Sequence, residues 1–503
     1  MKNQLKIGSV LTYLNVFLNI VVSLFLSPLT VSSLGQAQYG LYQLVWSTVG
    51  YMAVMDFGLT NSVVRYIAKY REKRDKRSEE NFLSMVFIIY GVITLIVLAA
   101  GAALYFNLQN IFARSLSTGE ITLARRLFVI MLFNMTMQII LNVFPAVINA
   151  YERFMFQRSL TIVRLILRTA LLTVLLLSGF QSMAIALMDT SFTVIFFVIQ
   201  IVYVFIVLKV RVRLNSFDTA FFKEVFSYSF FVFLAMIVDQ VNWKVDQFII
   251  GQRLGASDVA VYSIALQFPY YYMSFAGAIS GVFLPAASKM AARGDDDDRF
   301  TDLMIKTGRA QWFVLGIILL GFMAFGKQFL LLWMGDNFAQ GYPIALMLML
   351  ALTIPLFQSV GISVQQAKRK HAFRSYVLLA MAVINVILTY IFVGMFGMIG
   401  AAVGTVISFI LGNIVAMNVY YKKALNIDLK RFFTSISKGM LMASVITVLI
   451  GIVINMLPVG GWVGLGIKIA IFALTYLYVF GIVGLDKYEK EQYLGGIKRA
   501  LKR

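Results

Sequence analysis

The feature that most constrains this chain is a series of about fourteen apolar runs, each long enough to cross a bilayer as a helix. The runs lie near 8–32, 42–62, 82–106, 124–148, 161–179, 183–208, 226–250, 259–286, 310–334, 341–365, 375–394, 397–420, 439–457 and 462–484. With 60% hydrophobic residues and a mean hydropathy of +0.83, the chain carries more apolar surface than a soluble core can bury. The predicted fold class is therefore all-α, a polytopic membrane protein with about 14 transmembrane helices.

Lysine and arginine are unevenly distributed among the loops. If the N-terminus lies in the cytoplasm, about 35 of the 44 basic residues fall in cytoplasmic segments. This bias predicts that both termini are cytoplasmic, and it accounts for the net charge of +21 without a nucleic-acid partner. The most basic stretch, 65–80, is interpreted as an orientation signal near anionic lipid, with substrate capture as the alternative.

The residue types argue against an enzyme. The chain has no cysteine and a single histidine, His371, which excludes disulfides and thiolate chemistry and argues against a metal or acid–base site. The acidic run at 294–298 lacks the spaced ligands of a calcium loop. There is no Walker-type phosphate-binding loop, so direct use of ATP is not expected. We expect no catalytic set and no cofactor.

The chain repeats itself weakly at a shift of about 217 residues. The matched positions are Leu34, Gly35 and Tyr42 with Leu254, Gly255 and Tyr262; Arg153, Arg158 and Ser159 with Arg369, Arg374 and Ser375; and Met183, Ala186 and Thr190 with Met398, Ala401 and Thr405. The shift carries the first span onto the seventh. It predicts two parallel six-helix repeats, 1–215 and 216–424, plus two C-terminal helices and a basic tail in 425–503. Repeats of this kind hold a substrate between them and rock against each other.

The seventh span, 226–250, holds unusually many polar residues for a membrane helix. They are Asp239, Gln240, Asn242, Lys244, Asp246 and Gln247. Asp239 and Asp246 are seven residues apart and share a face, whereas Lys244 points elsewhere. Because ionisable groups in membranes usually serve function, we predict that Asp239, Asn242, Lys244, Asp246 and Gln247 line a cavity. The alternative is that the polar groups fix this helix structurally at the outer interface.

Five further residues are candidates for the same cavity. Asp56 is expected at the cytoplasmic end of span 2, with a cap or a contact to Arg65 as its structural alternative. Arg164 and Arg168, one turn apart and expected near the cytoplasmic end of span 5, could bind pyrophosphate as a fork or extend to anionic lipid. Asp189 lies in span 6, where its repeat partner is Gly404. Tyr271, in an aromatic run of span 8, could stack on sugars or belong to an interfacial belt.

Several motifs resemble one family of membrane proteins. They are Leu34, Gly35, Tyr39 and Gly40 after the first span; Asp56, Phe57, Gly58 and Leu59, followed by Arg65; Asp246, Gly251, Leu254, Gly255 and Tyr262 around spans 7 and 8; Pro285; and the glycine-rich run 397–408. In their order they resemble the polysaccharide or oligosaccharide flippase family. That family belongs to the superfamily that also contains the multidrug and toxic compound extrusion pumps. The resemblance covers roughly residues 1–420.

The resemblance implies transport of a lipid-linked oligosaccharide, usually on undecaprenyl pyrophosphate, from the inner to the outer leaflet of a bacterial inner membrane. It implies membrane lipid as a partner, together with glycosyltransferases and a polysaccharide polymerase. Proton or sodium coupling through Asp239 or Asp246 is our hypothesis for the energy source. The alternatives are a cation-coupled multidrug exporter on the same fold and a membrane-bound glycan enzyme. The short outer loops argue against the enzyme.

Overall fold

A computed structural model describes residues 2–216, 236–238, 240–293, 297–367, 372–486 and 489–491. The regular structure of these residues is helical, without strands, as the sequence predicts. The described helices are α1 Lys2–Leu34, α2 Gln36–Gly50, α3 Leu59–Glu72, α4 Lys76–Phe112, α5 Thr118–Leu141, α6 Val143–Ala150, α7 Phe154–Leu177, α8 Ser182–Val202, α9 240–253, α10 Ala256–Arg293, α11 Asp297–Met334, α12 Gly341–Phe357, α13 Ser359–Ala367, α14 Ala372–Phe396, α15 Met398–Phe409, α16 Met417–Leu425, α17 Leu429–Ser437, α18 Met440–Asn455 and α19 Gly461–Val479.

The helices have the length and composition of membrane spans. Among the described residues, 10 helical segments are long and apolar enough to cross a bilayer. The bent pair α17 and α18 would make 11 if it forms one span. Many of their large apolar side chains are exposed, including Phe106 at 72% and Leu177 at 73%, as expected for surfaces that face lipid. The predicted class of polytopic all-α membrane protein is confirmed, and the count of fourteen stays a prediction.

Polar residues in the loops set where several helices begin. The Asp75 side chain accepts a hydrogen bond from the Ser78 backbone N–H at the start of α4. Ser117 and Glu120 form a reciprocal capping box at the start of α5. Because the first N–H groups of a helix have no partner within it, these caps fix the starts of two long spans beside polar turns.

The chain divides into two compact units. The first comprises Met1–Ser263 and Val386–Ala401. In it, α1 packs on α7, α3 packs on α6, and α5 contacts α2, α4 and α8. Helix α5 therefore lies at the centre of this unit. The predicted domain boundaries after residues 215 and 424 stay predictions.

The second unit comprises Ile264–Asn385 and Ala402–Arg503. Its central helix is α11, which packs against α12, α17, α18 and α19. A cluster of buried apolar residues that includes Leu320, Phe325, Phe472, Tyr476 and Phe480 joins α11 to the last two helices. The two C-terminal helices are thus part of the hydrophobic core of this unit.

The repeated Leu–Gly pairs have similar local structure. Gly35 separates α1 from α2 with φ 75°, and Gly255 immediately precedes α10 with φ 115°. Both values lie in a region that side chains other than glycine rarely adopt. At Gly40, helix α2 approaches the start of α10 so closely that a Cβ would overlap the Ala256 carbonyl oxygen. The Gln36 side chain donates to the Ser257 carbonyl oxygen at 3.1 Å. The two matched helix starts therefore pack against each other inside the first unit.

Several helices extend beyond the predicted apolar runs or break within them, and two cases have a clear cause in the sequence. The run 42–62 is not one continuous helix, because α2 ends at Gly50, the 3₁₀ turn Tyr51–Asp56 follows, and the chain continues as α3. Phe57 and Gly58 have φ values of 52° and 65°, and two consecutive left-handed residues interrupt an α-helix. The run 161–179 begins earlier, since α7 starts at Phe154. The polar residues Gln157, Arg158 and Ser159, which follow the first three residues of α7, lowered the local hydropathy and hid this start.

Candidate functional site

The polar residues of the seventh span are partly described. Asp239 lies outside the described residues. On α9, Asn242, Asp246 and Gln247 are buried, and Lys244 is half-buried. Asp246 is 2% exposed, and its carboxylate accepts hydrogen bonds from the Tyr262 hydroxyl at 2.5 Å and the Thr389 hydroxyl at 3.0 Å. Hydroxyls from α10 and α14 thus bind this carboxylate and join three helices. The predicted cavity-lining role of this set stays a prediction.

A second polar cluster lies between α7 and α8 of the first unit. Arg168 donates two hydrogen bonds to Asp189, from Nε to Oδ1 at 2.6 Å and from Nη2 to Oδ2 at 2.9 Å. This two-pronged geometry is the strongest form of an arginine–carboxylate pair. The Tyr42 hydroxyl of α2 also donates to Asp189 Oδ2, at 3.2 Å. The sequence interpretation treated Arg168 and Asp189 separately, and the structure brings them together.

Arg164 lies one turn from Arg168 and has different partners. Its Nη2 donates to the Thr193 hydroxyl of α8 at 2.9 Å, and its guanidinium lies 5.9 Å from the Phe196 ring centroid. Thr193 lies 3.4 Å from the Asn134 side-chain oxygen of α5, and the Asn134 amide nitrogen donates to Thr190 at 3.1 Å. A polar network therefore extends from the arginines of α7 into α5, the central helix of this unit.

The two arginines lie in the middle of their helix, which corrects the expectation that they lie near its cytoplasmic end. Arg164 is ten residues after Phe154, and Arg168 is nine residues before Leu177. At 1.5 Å per residue, Arg168 lies about 14 Å from the end of α7. Asp189, seven residues after Ser182, lies about 10 Å from the start of α8. In the structure, the Arg168 side chain pairs with Asp189 and does not extend to lipid head groups.

Asp56 also has defined partners. It is 7% exposed and accepts a hydrogen bond from the Tyr90 hydroxyl of α4 at 2.8 Å. The Thr60 hydroxyl, at the start of α3, lies 3.2 Å from both carboxylate oxygens. Asp56 therefore connects the interrupted second span to Tyr90 of α4. Its cavity-lining role stays a prediction.

The aromatic run on α10 divides between two environments. The Tyr271 hydroxyl donates to the Gln267 side chain at 2.9 Å, and Tyr271 is half-buried. Tyr272 is 1% exposed, and its hydroxyl lies 3.1 Å from that of Thr353. Tyr272 also lines a cavity of about 270 Å³ inside the second unit, mostly bounded by apolar side chains. Sugar contact by Tyr271 stays a prediction, as does the polar chamber between the two repeats.

The basic stretch 65–80 contains a specific contact that the sequence interpretation missed. The Arg71 guanidinium lies 3.9 Å from the Tyr151 ring centroid and donates to the Ala150 carbonyl oxygen at 2.7 Å. The Tyr151 hydroxyl donates to Glu79 at 2.6 Å. Burial and this hydrogen bond to a carboxylate raise the pKa of Tyr151. The stretch 65–80 therefore packs against the turn between α6 and α7 and stabilises it, in addition to carrying positive charge.

The second unit holds a buried ion pair that the sequence interpretation also missed. Arg309 of α11 donates to both carboxylate oxygens of Glu489, at 2.6 and 2.8 Å. The same guanidinium donates to the carbonyl oxygens of Ser435, Lys438 and Gly484. Lys468 of α19 is buried and donates to the Asn455 carbonyl oxygen at the end of α18. These cations bind carbonyls at helix ends, which is a structural use of charge.

The fold and these clusters define a class of protein. It is a polytopic helical membrane protein in which ionisable groups inside the spans are held by partners on neighbouring helices. A family model described as "Polysaccharide biosynthesis protein" matches residues 5–291, more than half of the chain. The chain therefore belongs to the polysaccharide biosynthesis protein family, as its motifs predict.

Two curated relatives resemble the chain over most of its length. One, from Shigella flexneri, is named "Putative O-antigen transporter" and is 22% identical over 395 residues, covering 77% of this chain and 90% of the relative. The other, from Bacillus subtilis (strain 168), is named "Uncharacterized membrane protein EpsK". It is 24% identical over 424 residues, which is 81% of each chain.

Solved structures share the fold. The structure titled "Lipid II flippase MurJ, inward closed conformation" matches with a TM-score of 0.70 at 18% identity, covering 94% of this chain and 98% of that one. An inward-facing multidrug resistance MATE family transporter matches with a TM-score of 0.63 at 14% identity, covering 82% of this chain and 96% of that one. At these identities the similarity shows a common fold.

Proposed function

We propose that this protein is a flippase that moves a lipid-linked oligosaccharide from the inner to the outer leaflet of a bacterial inner membrane. The observation that carries the proposal is membership of the polysaccharide biosynthesis family in a chain built of membrane-spanning helices. The carrier is of the undecaprenyl pyrophosphate type, and both termini are cytoplasmic. Glycosyltransferases make the substrate and a polymerase uses the product.

The work of such a protein is to carry a large polar head group and a pyrophosphate across an apolar layer. The lipid tail can remain in the bilayer, so the protein needs hydrated, charged surfaces within its spans and breaks no bond. Arg164 and Arg168, halfway along α7, supply positive charge at that depth. In this proposal they contact the pyrophosphate, and the two predicted six-helix repeats alternate between inward and outward access.

The competing function is a cation-coupled multidrug exporter on the same fold. The fold alone does not separate the two, because one fold hosts several functions. The family match favours the flippase, because the family is described as "Polysaccharide biosynthesis protein" and a relative is named "Putative O-antigen transporter". A drug-resistance phenotype without a glycan phenotype would favour the exporter instead.

Deletion of the gene tests the proposed function. We expect loss of a surface polysaccharide and accumulation of its lipid-linked intermediate on the inner leaflet, because synthesis continues while export stops. Extraction and quantification of the intermediate, with complementation by the wild-type gene, measures this. Normal polymer and intermediate levels in a strain without a redundant paralogue would rule the function out.

The energy source is tested in liposomes. We propose coupling to protons or sodium ions through Asp239 or Asp246. Transport that is indifferent to imposed gradients of both ions would remove this part of the proposal.

A further inference from the structure

We propose that Asp189 occupies the place of a substrate phosphate, holding the Arg168 guanidinium until a phosphate group displaces it and binds both Arg168 and Arg164. This inference rests on the proposed function, because it assigns the anionic part of the substrate to these two arginines. Asp189 then acts as an internal ligand of Arg168, and substrate binding exchanges its carboxylate for a phosphate.

The geometry of the pair suits an exchange. Arg168 presents Nε and Nη2 to the two oxygens of Asp189, at 2.6 and 2.9 Å. The same planar fork fits two phosphate oxygens, since guanidinium groups bind carboxylate and phosphate in the same two-pronged manner. A phosphate that takes the place of Asp189 therefore requires little rearrangement of Arg168.

The pair is accessible. The Arg168 side chain is 32% exposed and that of Asp189 is 19% exposed, in contrast to 9% and 8% for Arg309 and Glu489. In this proposal the exposed surface of the first pair faces the hydrated path, so that an incoming anion can reach it, whereas the second pair is enclosed. The desolvation that dominates a fully buried pair is then only partial for Arg168 and Asp189.

The local charge favours a second anion. Arg164 and Arg168 lie one helical turn apart on the same helix face, with one carboxylate beside them. Among the described residues, Arg164 forms no ion pair with a carboxylate. Its hydrogen-bond acceptor is the neutral Thr193 hydroxyl. The cluster thus has an excess positive charge that a phosphate would neutralise, which is favourable at this depth.

Tyr42 gives Asp189 a partner that does not depend on Arg168. Its hydroxyl donates to Asp189 Oδ2 at 3.2 Å, so the displaced carboxylate keeps one hydrogen bond. The matched position in the second repeat is Gly404, so the sequence supplies no carboxylate at the equivalent position there.

The test measures pyrophosphate binding by the purified full-length protein in nanodiscs at constant ionic strength, without divalent cations. Asp189→Asn frees Arg168, so we expect inorganic pyrophosphate to bind roughly tenfold more tightly than to wild type. The variant unfolds at a lower temperature without ligand, and pyrophosphate restores more of its thermal stability than it adds to wild type. Arg168→Gln, alone or with Asp189→Asn, binds roughly tenfold more weakly than wild type.

Two further variants keep the test decisive if Asp189→Asn does not fold. Tyr42→Phe retains every charge but removes the remaining partner of the displaced carboxylate, so it should bind pyrophosphate roughly threefold more weakly. Glu489→Gln is the matched control, since it also breaks an arginine–carboxylate pair and should leave the affinity unchanged.

The outcomes separate this inference from the proposed function. Unchanged or weaker pyrophosphate binding by Asp189→Asn, or equal rescue by chloride at matched ionic strength, overturns the exchange. If that occurs while gene deletion still traps the intermediate, the flippase proposal stands. If the affinities change as expected but deletion leaves the surface polymer unchanged, the flippase proposal fails and the anion site stands.

Discussion

At the scale of single residues, hydroxyl groups hold the carboxylates inside the first unit. Tyr90 donates to Asp56, Tyr42 to Asp189 and Tyr262 to Asp246. Tyr42 and Tyr262 are matched positions of the internal repeat, yet their carboxylate partners lie on different helices, α8 and α9. The tyrosine donor is therefore at the same position in both repeats, whereas the aspartate acceptor is at a different position in each.

Removing one of these donors should cost stability. Tyr262→Phe deletes the hydroxyl 2.5 Å from the buried Asp246 carboxylate, so we expect a loss of about 2 kcal/mol in the free energy of unfolding. Thr389→Val, which removes the longer bond of 3.0 Å, should cost less. Thermal unfolding in detergent measures both variants. A Tyr262→Phe variant as stable as wild type would mean that this bond contributes little.

At the scale of elements, two helix starts approach through a glycine. A Cβ at Gly40 of α2 would overlap the Ala256 carbonyl oxygen of α10, a backbone atom that cannot rotate away. Close approach through small residues is a common way for membrane helices to pack. This contact explains why glycine lies at position 40 within a helix, where it would otherwise be unfavourable.

Substitution at this contact should separate the two helices. We expect Gly40→Ala to destabilise the protein by about 3 kcal/mol, because overpacking against backbone forces the helices to move. Gly50→Ala on the same helix is the control. Apart from the chain neighbours of Gly50 and the local backbone of α2, no heavy atom of the described residues lies within 4 Å of the added Cβ. It should be neutral or stabilising by about 0.5 kcal/mol. Equal effects of the two substitutions on the unfolding temperature would contradict this packing.

The sequence predicted the helices better than their interruptions and partners. Hydropathy located most of the long helices, because a membrane span must be apolar over about 20 residues. It missed the break at Phe57 and Gly58, since left-handed backbone leaves no trace in hydropathy. It identified Arg168 and Asp189 as candidates but not as a pair, because 21 residues separate them and only the packing of α7 on α8 joins them. Tyr42 was visible only as part of the repeat.

At the scale of the whole molecule, a helical membrane fold occurs in a chain of the polysaccharide biosynthesis family. The family match ends at residue 291, whereas the MurJ structure covers 94% of the chain. The last two helices pack into the core of the second unit around Phe472 and Tyr476, so removing them would expose the apolar surface of α11. The helices that follow the family match are therefore an integral part of this fold.

The most direct test of the central claim measures which leaflet holds the substrate. Purified protein is reconstituted into liposomes that carry a lipid-linked oligosaccharide in both leaflets, and a soluble glycan-cleaving enzyme is added outside. A flippase should make the entire pool accessible with time, whereas protein-free liposomes release only the outer-leaflet fraction. If cleavage with the protein stops at the same fraction as without it, the chain does not move this substrate.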